Sequence, residues 1–218
     1  MVRERRIRGF LTIALVTFMV VTQAICVVTA TFAEDRDKEI QPTVLTLETT
    51  ENQVYKKEFI ELLANQYHVD VNYLNYIAEV EKTFDLEPYE LFALISQESN
   101  FIPQTKMDEG TLSYNTTQMK LATAKTAYMA ITEYYKKEIS YPTHELLKDD
   151  KYYATMLAGG YLKYLHDTYN NKYESYTAYR CGISGRLEFY NKNGNYKSSY
   201  ALKIAELSSA FAKGETKI

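Results

Sequence analysis

LFALISQESNF, residues 91–101, is the stretch on which the reading of this chain turns. Leu91, Leu94 and Ile95 take the i, i+3 and i+4 positions of an apolar helical stripe, and the next position, i+7, holds Glu98. A carboxyl at the end of such a stripe, bordering a cleft, loses hydration. That favours its protonated form, which can hand its proton to a leaving oxygen. Glycoside cleavage needs such a group. A glutamate whose stem packs while its head reaches water fits the same position, so the stripe alone leaves both readings open.

Outward from this helix the pattern stays helical. Residues 54–67 place Phe59, Leu62 and Leu63 on one face, and Asp70 is a candidate cap for a helix from Val71 to about Phe84. Pro88 suits the first turn of a helix over 88–98, where its missing N–H costs nothing. Residues 99–115, with Pro103 and Gly110, read as an irregular loop. A long helix follows from about Thr117 to Lys137, and Pro142 begins a short segment. Asp149 and Asp150 precede a helix reaching Tyr169, and residues 172–181 and 197–212 complete the set around the NKNGN stretch at 191–195. Strand-like alternation is scarce and no solenoid period appears. The expectation is an all-α domain over residues 53–218, after a polar linker over 34–52.

The N-terminus sets the expected compartment. Arg3, Arg5, Arg6 and Arg8 precede an uncharged run from Gly9 to Ala33, 25 residues long and enough to cross a bilayer. Residues 1–33 therefore read as a transmembrane anchor or a signal peptide, with Thr31-Phe32-Ala33 as the candidate cleavage site. Either reading exports the remainder, as a single-pass membrane protein or as a protein secreted to the cell wall. Without residues 1–33 there remain 21 basic and 27 acidic residues, a balance that argues against nucleic acid as a partner. The two cysteines, Cys26 and Cys181, exclude a disulfide framework and a cysteine-based zinc site. His68, His144 and His166 show no ligand spacing, so neither metal nor cofactor is expected. Cys181 is read as a buried small hydrophobe. Tyrosine is over-used, with 21 Tyr against 9 Phe and no Trp. Most are expected to fill half-wet helix faces and some to line a groove.

FDLEPYELFALISQESNFIPQTK resembles the catalytic region of the lytic transglycosylases of the lysozyme-like family, the soluble lytic transglycosylase or SLT family. The motif "ALI-x-x-ES-x-F-x-P" is met by Ala93, Leu94, Ile95, Glu98, Ser99, Phe101 and Pro103. TTQMKLATA (116–124) is similar to the family's "GLMQ…PATA" segment. LAGGYLKYLHDTY (157–169) and YTAYRCGISG (176–185) are similar to its "AG-x-YL-x-x-L … AYNAGPG" pair. The resemblance covers about residues 71–190. It implies a goose-type lysozyme-like α fold and cleavage of peptidoglycan glycan strands between N-acetylmuramic acid and N-acetylglucosamine, with a 1,6-anhydro product. It implies further that Glu98 is the single acid and base, that Gln118 hydrogen-bonds a sugar, and that Tyr179 lies beside Glu98. Ser99 is then a supporting, substrate-side residue at the helix end. The membrane, through residues 9–33, and an envelope-spanning secretion or conjugation complex are the other partners this reading suggests.

The chain departs from the family at named positions. Asn115 stands where the family has Gly, Thr116 and Thr117 precede Gln118, "AYN" reads Ala178-Tyr179-Arg180, and "AGPG" reads Cys181-Gly182-Ile183-Ser184. On a helix Arg180 points about 100° away from Tyr179, and so away from Glu98. These departures keep a non-catalytic glycan-binding or scaffold protein open as an alternative. A hydrolytic lysozyme needs a second carboxylate, for which Asp108 and Glu109 are the nearby candidates.

Overall fold

The computed structural model describes residues 55–216 except Glu109. The expected anchor or signal segment, residues 1–33, and the expected linker, 34–52, lie outside the described residues. Among those described, no helix is long and apolar enough to cross a membrane.

Three helices open the domain: α1 (Lys57–Tyr67), α2 (Val71–Thr83) and α3 (Glu90–Ser99). Asp70 caps α2 as expected, its Oδ1 accepting from the Asn72 N–H at 2.9 Å. On α1 the buried face is Phe59, Ile60 and Leu63, while Leu62, expected inside, is 49% exposed. The centre of the fold is α3, where Leu91, Phe92, Ala93, Leu94 and Ile95 are all fully buried. A helix apolar on every side belongs inside a protein, and each large side chain there contributes about 1.5–3 kcal/mol by leaving water.

This helix starts two residues later than Pro88 suggested, because Tyr89 adopts a left-handed φ of 65°. It has no cap of its own. Glu81, fully buried on α2, supplies one, accepting from the N–H groups of Tyr89 (2.9 Å), Leu91 (2.6 Å) and Phe92 (3.4 Å) and from the Tyr55 hydroxyl (2.6 Å). Burial pushes the Glu81 carboxyl up to about 8 against the pull of these four donors. Glu90, also buried, accepts from the Tyr176 hydroxyl and pairs with His166 Nε2 at 2.9 Å, which ties the first turn of α3 to two later helices.

The all-α expectation is corrected between residues 106 and 120. Here β1 (Lys106–Asp108), β2 (Thr111–Tyr114) and β3 (Met119–Lys120) form a small antiparallel sheet in that order. Asp108 pairs with Thr111, and Gly110 at φ 75° lets the chain reverse in a two-residue turn. Short strands carry too few residues for alternation to show, so the segment resembled a loop.

The helix expected from Thr117 starts after the sheet as α4 (Leu121–Met129) and ends in a single π turn, Ala130–Tyr134. Next come α5 (His144–Asp149), α6 (Lys151–Tyr169), α7 (Lys172–Asn193) and α8 (Ser199–Lys213). Asp150 caps α6 through the N–H groups of Tyr152 and Tyr153, both at 2.9 Å. The two glycines of LAGGYL are packing residues. A Cβ on Gly159 would lie 2.4 Å from Val80 Cγ1, and one on Gly160 would lie 2.4 Å from Ile131 Cγ1. They let α6 press against α2 and the π turn. Helix α7 runs past its expected end at Cys181, and Gly182 (φ 79°, ψ 171°) breaks it into two segments.

Candidate functional site

Glu98 sits in the last turn of α3, half-buried, where the buried part of the helix meets an open groove. The groove encloses about 1280 Å³, more than the roughly 300–1,000 Å³ of a typical small-molecule pocket. Such a trough suits an extended ligand. Glu98 Oε1 accepts from the Tyr200 hydroxyl at 2.5 Å. Tyr200 is in the first turn of α8, which Ser198 caps by accepting from the Ala201 N–H.

Tyr179, from the first segment of α7, also lines the groove and donates to the Thr117 carbonyl at 3.2 Å. Both phenols are held well above their ordinary pKa, first by burial and then by the negative charge of Glu98. They therefore remain protonated donors beside the carboxyl.

The segment Asn115-Thr116-Thr117-Gln118 is a buried junction between this site and the sheet. Ser99 Oγ donates to the Thr116 carbonyl at 2.7 Å and to the Ile95 carbonyl at 3.2 Å. Thr116 Oγ1 lies 2.6 Å from the Tyr73 hydroxyl. Asn115 takes a φ of 60°, a left-handed conformation that Gly and Asn tolerate best. Its amide donates to the carbonyls of Leu147 and Lys148, both at 3.0 Å. The exchange of the family's Gly for Asn115 thus keeps the backbone shape and adds two bonds. Gln118 Nε2 donates to the carbonyls of Asn115 (2.7 Å) and Gln104 (2.9 Å), and Oε1 accepts from Ser113 (3.1 Å). Both amide hydrogens are engaged in holding the loop, even though the residue lines the groove.

Of the four residues singled out from the sequence, three meet at the groove: Glu98, Gln118 and Tyr179. Ser99 does not. It is 7% exposed and fastens the end of α3 to the junction, so its place is structural support. Arg180 does not turn away as its helical offset suggested. It lines the same groove, with its guanidinium 6.0 Å from the centre of the Tyr200 ring. Cys181, expected to be buried, is exposed on the groove wall, where burial of its sulfur still raises the thiol above its ordinary value. The side chain of Asp108 and all of Glu109, the loop acids weighed as a second carboxylate, lie outside the described residues.

Sequence reasoning missed Tyr200 and the second segment of α7. Gly185, Glu188, Phe189, Lys192 and Asn193 line the groove at the i, i+3, i+4, i+7, i+8 spacing of one helical face. That periodicity was present in the sequence but carried Phe189 as its one large apolar residue, so it formed no apolar stripe. Among the described residues, no group of three His, Cys, Asp or Glu side chains is arranged to hold a metal ion.

A mostly helical domain that sets Glu98, flanked by phenols, at an open groove is consistent with the lysozyme-like class of folds. Within that class the match is specific: residues 75–203 fit the family model of the Transglycosylase SLT domain, and the chain belongs to this family of lytic transglycosylases. Comparison with curated proteins and with solved structures found no match.

Proposed function

We propose that the chain cleaves the β-1,4 bond between N-acetylmuramic acid and N-acetylglucosamine in peptidoglycan, with Glu98 as sole acid and base. Glu98 gives its proton to the glycosidic oxygen, the C1–O bond breaks, and N-acetylglucosamine leaves with that proton. Positive charge develops at C1 of the muramic acid while Glu98 becomes a carboxylate. The carboxylate then takes the proton of the C6 hydroxyl of the same sugar. The C6 oxygen closes on C1, giving the 1,6-anhydro product without water and restoring the acid.

The observation that carries this reading is the 2.5 Å bond from Tyr200 to Glu98 at the groove floor. A phenol there stabilises the carboxylate that forms as the bond breaks. Tyr179, anchored to Thr117, limits how far the pair can shift. Gln118 and Ser99 act by holding the sheet edge and the end of α3 in place.

A second reading is hydrolysis. Glu188 also lines the groove, and a second carboxylate could activate water. Mass analysis of peptidoglycan digested by the full chain and by Glu98→Gln separates the readings. Anhydro-muropeptides that vanish with Glu98→Gln support transglycosylation, reducing ends indicate hydrolysis, and no release by the wild type indicates a glycan-binding protein.

The proposed setting is outside the cytoplasmic membrane, tethered through residues 9–33 or secreted. There the enzyme opens the wall locally for growth or for an envelope-spanning machine such as a conjugation apparatus. The basic start and the apolar run of the N-terminus support this placement.

A further inference from the structure

The groove carries charges that bond cleavage does not use. Ser113 on β2 pairs with Lys106 on β1 and with Lys120 on β3. Directly paired residues share a sheet face, with strands about 4.8 Å apart, so these three side chains form a row, and all three line the groove. From α7 come Arg180 and Lys192. Four cations therefore line the groove beside two carboxylates, Glu98 and Glu188, in a chain whose net charge is −3.

Cations gathered in one concavity of an acidic protein concentrate anionic ligands there. The sugar rings of a glycan strand offer hydroxyls and acetamides, which need no cation. What carries negative charge is muramic acid and its substituents: its own lactyl carboxylate where no stem is attached, the carboxylates of a peptide stem, or phosphates of a polymer linked to it. Lys192 lies ten residues beyond the Gly182 break, about 15 Å along a helix. Arg180 stands beside Tyr200 next to Glu98. One anion cannot meet both.

Building on the glycan-cleaving reading, we infer that the groove selects its strands by the anionic substituents of their muramic acid units. Lys106 and Lys120 on the sheet and Arg180 and Lys192 on α7 read those charges at separate points along the strand. Arg180 reads closest to the scissile bond, in place of the asparagine usual in the family.

The test measures binding rather than turnover. The full chain carrying Glu98→Gln is titrated with three soluble glycan probes: strands with intact peptide stems, the same strands stripped of stems with the freed lactyl carboxylates converted to amides, and stripped, amidated strands that retain a phosphate-linked polymer. Intact strands should bind on the order of tenfold tighter than stripped ones, and added salt should erase the difference. Adding Lys106→Gln and Lys192→Gln, both at exposed positions, should narrow the difference between the two affinities. Tight binding of the phosphate-bearing strands as well would support the inference and extend it to phosphate.

Equal affinity for intact and stripped strands overturns the inference, and so does a preference that both substitutions leave undiminished. Initial cleavage rates of the wild type on the same probes give a second measurement if Glu98→Gln folds poorly. Equal cleavage of intact and stripped strands overturns the charge selection and leaves the glycan-cleaving reading standing. Preferential binding without cleavage of any probe does the reverse.

Discussion

Replacing Tyr200 by Phe removes one hydroxyl and keeps the ring that Arg180 covers. The lost contact is the 2.5 Å bond to Glu98 Oε1. Hydrogen bonds to a charged group contribute about 1.5–3 kcal/mol, and this one strengthens as Glu98 gives up its proton and becomes an anion. The loss therefore falls on the transition state, and kcat should drop roughly 10- to 150-fold. KM should stay within about twofold, because the ground-state complex holds a protonated Glu98 that needs the donor less. The assay is the initial rate of soluble muropeptide release from purified peptidoglycan over a range of substrate concentrations, with a thermal midpoint as a control for folding. A kcat within twofold of the wild type, or a loss confined to KM, would refute the assignment of Tyr200 as the partner of the acid.

Three further outcomes follow from buried contacts. Glu81 has a folded-state value of about 8 against an ordinary 4.5, so its contribution to stability is fully present below pH 4.5 and is lost as pH rises towards 8, by roughly 4–5 kcal/mol at most. Denaturant unfolding at pH 5 and pH 8 should show that slope, and Glu81→Gln should flatten it while lowering stability at both. Identical slopes in the two proteins would contradict it. Ser99→Ala leaves the Thr116 carbonyl without its 2.7 Å donor and should cost about 1–3 kcal/mol in the same assay. Gly182→Ala meets no atom within 4 Å of the new Cβ, so its cost is the backbone strain of φ 79°, ψ 171°, about 1–3 kcal/mol, read as a lowered thermal midpoint.

What the sequence disclosed and what it hid divide along physical lines. The apolar stripe that ends at Glu98 announced the central helix and put Glu98 at its end, because burial on all sides demands an unbroken apolar run. Asp70 and Asp150 announced helix starts, since capping is local chemistry written within three residues. The sheet stayed hidden, its strands being too short to alternate. Tyr200 stayed hidden for a different reason: it meets Glu98 across 102 positions, and no short-range pattern encodes that encounter. Among the departures around Gln118, Asn115 takes a left-handed φ of 60°, a conformation that glycine also allows. Arg180 is a further departure. Its helical offset from Tyr179 suggested that it faces away from the site, and it lines the groove beside Tyr200.

The central claim is that one carboxyl serves both proton transfers and that the sugar's own C6 oxygen captures C1. Digestion of peptidoglycan by the full chain in water enriched in heavy oxygen, followed by mass analysis of the new muramic acid ends, tests it most directly. The account predicts anhydro ends that carry no label and disappear with Glu98→Gln. Labelled reducing ends would mean that water, not C6, attacks C1, and would contradict it.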